Sequence, residues 1–261
     1  MKHRIKFLIA AALLSAPLVR AADTATLRFQ NGTVRTLGDL TVQDGTIFLP
    51  KDQIRVAVST IRKIDFSFDT LSVEQCEALF NAGEFEKLAA MLNTALTPLK
   101  PFEAFPGNLD PFLRWQMRAQ FWTGQYDELR QRAELLRTRK SSFAAEAALY
   151  EVLALIEEDK SAEAATAFAA VNNPEADFPA MTELIRGRLA MAEKKYPAAL
   201  QHFSNVIVFH SRDAEWMPAA TFYEGKVYRK TGYLVAALNI AEELELAYPD
   251  TVWSRRAAEL K

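Results

Sequence analysis

The sequence predicts a mainly α-helical chain: four to five helical hairpins stacked as an α-solenoid, preceded by a small five-stranded, barrel-like β module. Two observations predict it. Beyond Leu71, apolar residues recur at helical spacing, and the pattern itself recurs every 35 to 41 residues. Before that point, residues 25–67 hold three of the nine Gly, no helical stripe, and alternating runs rich in Thr, Val, Ile and Phe. The composition fits a globular chain: 261 residues, 50% hydrophobic and 25% charged. That excludes collagen, a disordered acidic tail and a disulfide-stapled mini-protein. A net charge of -2 argues against a general nucleic-acid binder. One Cys makes neither an intrachain disulfide nor a CxxC metal site, and three His leave little for zinc, so no metal or cofactor is expected.

The first element is an address rather than a fold. Lys2, Arg4 and Lys6 are followed by the apolar run 7–14, the breaker Pro17, and the triplet Val19-Arg20-Ala21. This is the pattern of a secretory signal peptide, residues 1–21, cut after Ala21. The run is shorter than the roughly 20 residues a membrane span needs, and no later stretch reaches that length. The mature chain then has 27 basic and 33 acidic residues, a net of -6, and is expected in the periplasm or outside the cell. Cys76 would meet an oxidising compartment without a partner in its own chain. Its apolar setting (Leu71, Leu79, Phe80) predicts a buried, inert thiol.

The β module, residues 25–67, follows. Runs at 26–29, 33–37, 40–42, 46–49, 54–58 and 61–66 alternate, and Asn31-Gly32 and Asp44-Gly45 fall between them as hairpin turns. About five strands in forty residues suit a strongly bent sheet. The run from Phe29-x-Asn31-Gly32 to Ile61-x-x-Ile64-Asp65-Phe66 resembles the Sm-like or SH3-like modules of secreted bacterial proteins. The segment lacks an aromatic-plus-basic cluster for stacking a strand, so RNA binding is not expected, and a cap for the helical part is.

The helical part, residues 71–261, is read from its repeats. Gly225, Tyr228, Gly232, Ala237, Ala241 and Pro249 stand at the spacing of the tetratricopeptide repeat, which this segment resembles. Gly187, Tyr196, Ala199 and Phe203 give a second match, and Ala164, Phe168 and Val171 a third. Gly124, Tyr126, Leu129 and Ala133 give a fourth, and Gly83, Phe85, Leu88 and Leu92 the weakest. The residues opening each second helix, Leu88, Leu129, Ala164, Ala199 and Ala237, are separated by 41, 35, 35 and 38. The long first interval holds a loop with Pro98, Pro101, Pro106 and Pro111. Pro111, Pro179, Pro197 and Pro218 sit where helices should begin, since proline is tolerated in a first turn. Phe168 and Phe203 are expected to plug gaps between hairpins, and 254–261 to form a polar capping helix. The closing Tyr248-Pro249-Asp250-Thr251, with Trp253 and Ala257-Ala258, resembles repeats of Gram-negative envelope proteins, the Tol-Pal accessory and outer-membrane assembly families. That likeness implies an adaptor role.

No HExxH, P-loop, GxSxG or GxGxxG occurs, and His202 and His210 are two helical turns apart, too far to share a metal. A non-catalytic function is expected. In the tetratricopeptide family the first helix of each hairpin lines a concave groove that takes a peptide or partner helix. Projecting that frame places Arg114, Arg118, Phe121 and Trp122 on the groove face, then Leu149 and Leu153, then Arg188, then Phe222, Lys226, Arg229 and Lys230. Such a basic, aromatic lining predicts an acidic or C-terminal carboxylate ligand on a protein partner. Trp115 is expected within its hairpin, and Trp216 and Trp253 at hairpin junctions. A peptidoglycan- or glycan-binding module is the competing expectation, and an enzyme using Cys76 the third.

Overall fold

The computed structural model describes residues 24–38, 41–43, 46–49 and 54–261. The expected signal peptide, residues 1–21, and the Asp44-Gly45 turn lie outside the described residues. The chain is mainly helical, with a small β region at its amino-terminal side.

Among the described residues, six strands form two three-stranded antiparallel sheets. Strand β1 (Thr24–Phe29) lies between β2 (Val34–Leu37) and β6 (Ile61–Ser67), while β4 (Thr46–Leu49) lies between β3 (Thr41–Gln43) and β5 (Ile54–Ala57). The count exceeds the sequence expectation by one because the short run at 41–43 pairs as a strand of its own. Period-two alternation buries Ala25 and Leu27 on β1 against Ile64 and Phe66 on β6. A register shift between Arg28 and Phe29 pairs Phe29 with Ile61, which turns Ile61 to the same buried side as Ile64.

The Pro-rich loop clasps this module to the helices. Ile64 N–H donates to the Pro106 carbonyl at 2.9 Å, and the Asn108 carboxamide exchanges two hydrogen bonds with the Phe66 backbone, 2.8 and 2.6 Å. Gly107 is required there: a Cβ would stand 1.9 Å from the Ile64 carbonyl oxygen. Phe66 meets Phe102 edge-on at 5.7 Å, adding apolar contact to the clasp.

The helices come as five antiparallel hairpins. They are α1 (Val73–Asn81) with α2 (Phe85–Leu96), α3 (Asp110–Trp122) with α4 (Tyr126–Thr138), and α5 (Ala144–Glu157) with α6 (Ser161–Ala169). A single turn, α7 (Pro174–Asp177), leads to α8 (Pro179–Ala192) with α9 (Tyr196–Phe209), and α10 (Trp216–Lys230) pairs with α11 (Leu234–Ala247). A short α12 (Val252–Arg256) and a 3₁₀ turn at Ala257–Leu260 close the chain. First helices touch in succession: α1 with α3, α3 with α5, α5 with α8, α8 with α10. Ser72 caps α1 by accepting from Gln75 N–H, and prolines occupy the first turns of α3, α8 and α9. Pro218 lies one residue deeper, at the third position of α10.

All five hairpins turn in the same way. Each linker has three residues, and the middle one, Gly83, Gly124, Asp159, Lys194 or Gly232, has φ between 60 and 86°. In each linker that residue's N–H returns to the carbonyl three residues back, and the next N–H to the carbonyl five back, closing the first helix. The five anchors, Leu88, Leu129, Ala164, Ala199 and Ala237, each stand five residues past the turn centre and are fully buried. At the fourth hairpin, a Cβ on Gly187 would come 2.4 Å from the Phe203 ring, so α8 and α9 approach closely only because residue 187 is glycine. Phe203 itself stacks on Tyr223 of the next hairpin at 6.1 Å, the expected gap-filling role. The closing segment is polar outside and apolar inside: Trp253, Ala257 and Leu260 are buried.

Candidate functional site

The first helices bring the sequence-projected side chains to one inner face, where they meet each other and a set of carboxylates. On α3, Arg114, Arg118 and Trp122 are four residues apart and share a stripe. Arg114 holds Glu146 of α5 through two hydrogen bonds, from Nε at 2.5 Å and Nη2 at 2.9 Å. Arg118 donates from Nη2 to Glu215 at 2.5 Å and from Nε to the Tyr150 hydroxyl at 3.1 Å. Tyr150 and the Trp122 indole both donate to the other Glu215 oxygen, at 2.5 and 2.7 Å. The Arg118 guanidinium also lies over the Phe80 and Trp115 rings, 4.1 and 4.4 Å from their centroids.

This cluster is largely buried. Glu215 is 7% exposed and Tyr150 fully buried. Burial pushes the Glu215 carboxyl above its usual range, opposed by the Arg118 charge and three donated hydrogen bonds. Burial likewise pushes the Tyr150 phenol well up. For Arg118, burial works toward loss of the proton, but Glu215, Tyr150 and Glu146 outweigh it and raise the guanidinium further.

A second cluster continues the face. Arg188 pairs with Glu157 at 2.7 Å and lies 3.9 Å over the Tyr223 ring, whose hydroxyl also donates to Glu157 at 2.9 Å. Burial alone would raise the Glu157 carboxyl, but Arg188 beside it holds it below its usual value. Arg256 of the closing helix covers Phe222 at 4.3 Å, and Lys226 pairs with Glu259 at 3.0 Å. Arg229 donates to the Glu259 backbone carbonyl.

The eleven projected residues therefore divide. Arg114, Arg118, Phe121, Trp122, Arg188, Phe222 and Lys226 have internal partners or are buried, as are Leu149 and Leu153. Arg229 and Lys230 are exposed at the end of α10. Trp115 is buried under Arg118, Trp122 touches Trp216 and Trp253 at 6.0 and 5.2 Å, and Phe85 stacks on Trp122 at 5.4 Å. The first hairpin thus meets the closing segment: the Gly83 turn abuts Thr251, and Phe80, Phe85, Trp122 and Trp253 wall a cavity of about 110 Å³. Most of the inner face is filled by the chain's own side chains.

The frame found the cations but missed their partners, Glu146, Tyr150, Glu157, Glu215 and Tyr223. Three of these pairs carry a signal in the sequence. Arg114–Glu146, Arg118–Tyr150 and Arg188–Glu157 are separated by 32, 32 and 31 residues, one repeat less a helical turn. The Arg118–Glu215 bond spans 97 residues and has no such local signature.

One part of the inner face stays open. A cleft of about 330 Å³ is lined by Arg114, Arg118, Glu146, Glu215, Asp177, Phe178, Met181, His210, Asp213 and Trp216, and so opens onto the Arg118–Glu215 cluster. Glu146 engages two of the five N–H donors of Arg114, and the others are unclaimed among the described residues. A separate cavity of about 430 Å³ lies between α2 and the α3–α4 turn, at Glu86, Asn93 and Gln125. Cys76 is fully buried, and burial pushes its thiol up to about 11, so it carries little thiolate at neutral pH. Among the described residues no group of three or more His, Cys, Asp or Glu side chains is placed to hold a metal, and no helix is long and apolar enough to cross a membrane. The chain matches no family model, and no curated protein matches it at a significant level.

Proposed function

We propose that the chain is a non-catalytic scaffold of the bacterial cell envelope, a tetratricopeptide-like α-solenoid that holds a protein partner by a carboxylate-ended segment. The observation that carries this reading is recurrence. Five hairpins share one turn conformation and one buried anchor position, and stacked hairpins of this kind present side chains from several repeats to a single ligand. The β module, of Sm-like or SH3-like barrel type, serves as the amino-terminal cap, consistent with its clasp through Pro106 to Asn108. The basic start, apolar run and Val19-Arg20-Ala21 support delivery to the periplasm or beyond.

The cleft beside Arg114 is the docking point in this reading. A guanidinium with free donors at a quarter-exposed position suits a carboxylate. Glu146 and Glu215 in the same wall are already paired with Arg114 and Arg118, while Asp177 and Asp213 repel further negative charge, so the cleft suits one carboxylate at the Arg114 donors and excludes an extended acidic run. The test is a photo-crosslinking amino acid at Phe178 or His210 in native cells, with Gln131 on the outer face of α4 as control. One envelope protein should be captured from the cleft positions only. A peptide of that partner's last residues should bind, and both its amidated form and Arg114→Gln should weaken binding about tenfold. Absence of an adduct at both cleft positions, or binding indifferent to amidation, refutes the reading.

A further inference from the structure

The outer helices differ along the molecule. On α4 the exposed residues are Asp127, Glu128, Gln131, Glu134, Arg137 and Thr138, a solvated face. On α9 and α11 the same outward position carries Val208, Phe209, Leu234, Val235, Leu238 and Leu246, exposed by 42 to 83%. Single exposed apolar residues mean little, but four of these six share the α11 surface, which water penalises. Helical spacing sets Leu234 and Leu238 one turn apart, and Val235 and Leu246 within the same half of the α11 surface.

Charge along α11 is polarised. Exposed Arg229 and Lys230, the last residues of α10, stand just before its beginning, and exposed Glu242 and Glu243 stand in its second half, where Lys261 is taken up by Glu245. Lys230, Glu242 and Glu243 have no ion-pair partner among the described residues, and Arg229 meets only a backbone carbonyl there. Such a face is complementary to itself when turned end for end. A lipid surface, the other occupant an apolar face invites, would have to accept Glu242 and Glu243 beside the same patch.

We propose that this face docks on a second copy of the chain, the two α11 helices running antiparallel across a two-fold axis near Leu238. The arrangement is isologous and closed. It sets the basic beginning of each α11 beside the acidic second half of the other and buries Leu234, Val235 and Leu238 between them. It uses the outer surface and leaves the Arg114 cleft free, so it stands apart from the partner proposed above.

Light scattering on the full chain at micromolar concentration tests it. The expected mass is twice that of one chain. Leu238→Glu should give a monomer with an unchanged far-ultraviolet spectrum. Lys230→Glu and Glu243→Lys should each weaken association about fivefold, since the symmetry repeats every lost pair, and the two combined should restore it. A monomer at about 100 μM, a dimer indifferent to Leu238→Glu, a double charge swap that fails to restore, or a monomer that instead sediments with anionic vesicles would each overturn the proposal.

Discussion

Glu215 shows how one residue ties distant parts of the chain. It precedes α10, yet its carboxylate takes hydrogen bonds from Arg118, Tyr150 and Trp122, on α3 and α5. Removing a buried carboxylate strands its cation, which costs more than the pair itself contributes. Glu215→Ala should therefore lower stability by about 3–5 kcal/mol, read by urea denaturation. The cations of this cluster were legible in the sequence, because Arg114 and Arg118 follow helical spacing on an otherwise apolar stripe. Glu215 was not: it sits in a linker, where no periodicity assigns a direction. Charge reversal of Arg118 is accordingly a test of folding, whereas the exposed Lys230 and the cleft residues report on association.

At the scale of elements, the hairpin turn is the repeating device. Its middle residue has positive φ, which glycine adopts freely and other residues at a cost. Asp159 and Lys194 occupy it at φ 60°, so the third and fourth turns carry strain that Gly83, Gly124 and Gly232 avoid. Lys194→Gly should raise stability by about 0.5–1 kcal/mol, while Gly124→Ala should lower it by about 1 kcal/mol or more, both read as shifts of the thermal midpoint. The glycines at 83, 124 and 232 were visible as punctuation. Asp159 and Lys194 were equally placed but chemically silent, and only the interval between anchors gave their turns away. The β module was legible in its strands because alternation and Asn31-Gly32 are local signals. Its attachment was less so, since Gly107 is special only for the carbonyl of Ile64 that approaches it.

For the whole molecule, the ion pairs between hairpins make stability depend on acid. Arg188 holds the folded Glu157 carboxyl below the ordinary value of 4.5. A carboxyl lowered on folding contributes stability that is present above 4.5 and fades as pH falls through the folded value. The stability difference between the parent chain and Glu157→Gln should therefore be constant near neutrality and shrink below pH 4.5, as measured by denaturation at a series of pH values.

The meeting of the Gly83 turn with Thr251, and of Trp122 with Trp253, changes how the array holds together. In an open row of hairpins each unit leans only on its neighbours, so the two ends fray first and the row comes apart piecemeal. Where the closing segment also touches the first two hairpins, loosening of the chain's end is coupled to its beginning. That coupling makes the terminal units less independent than those of an open row.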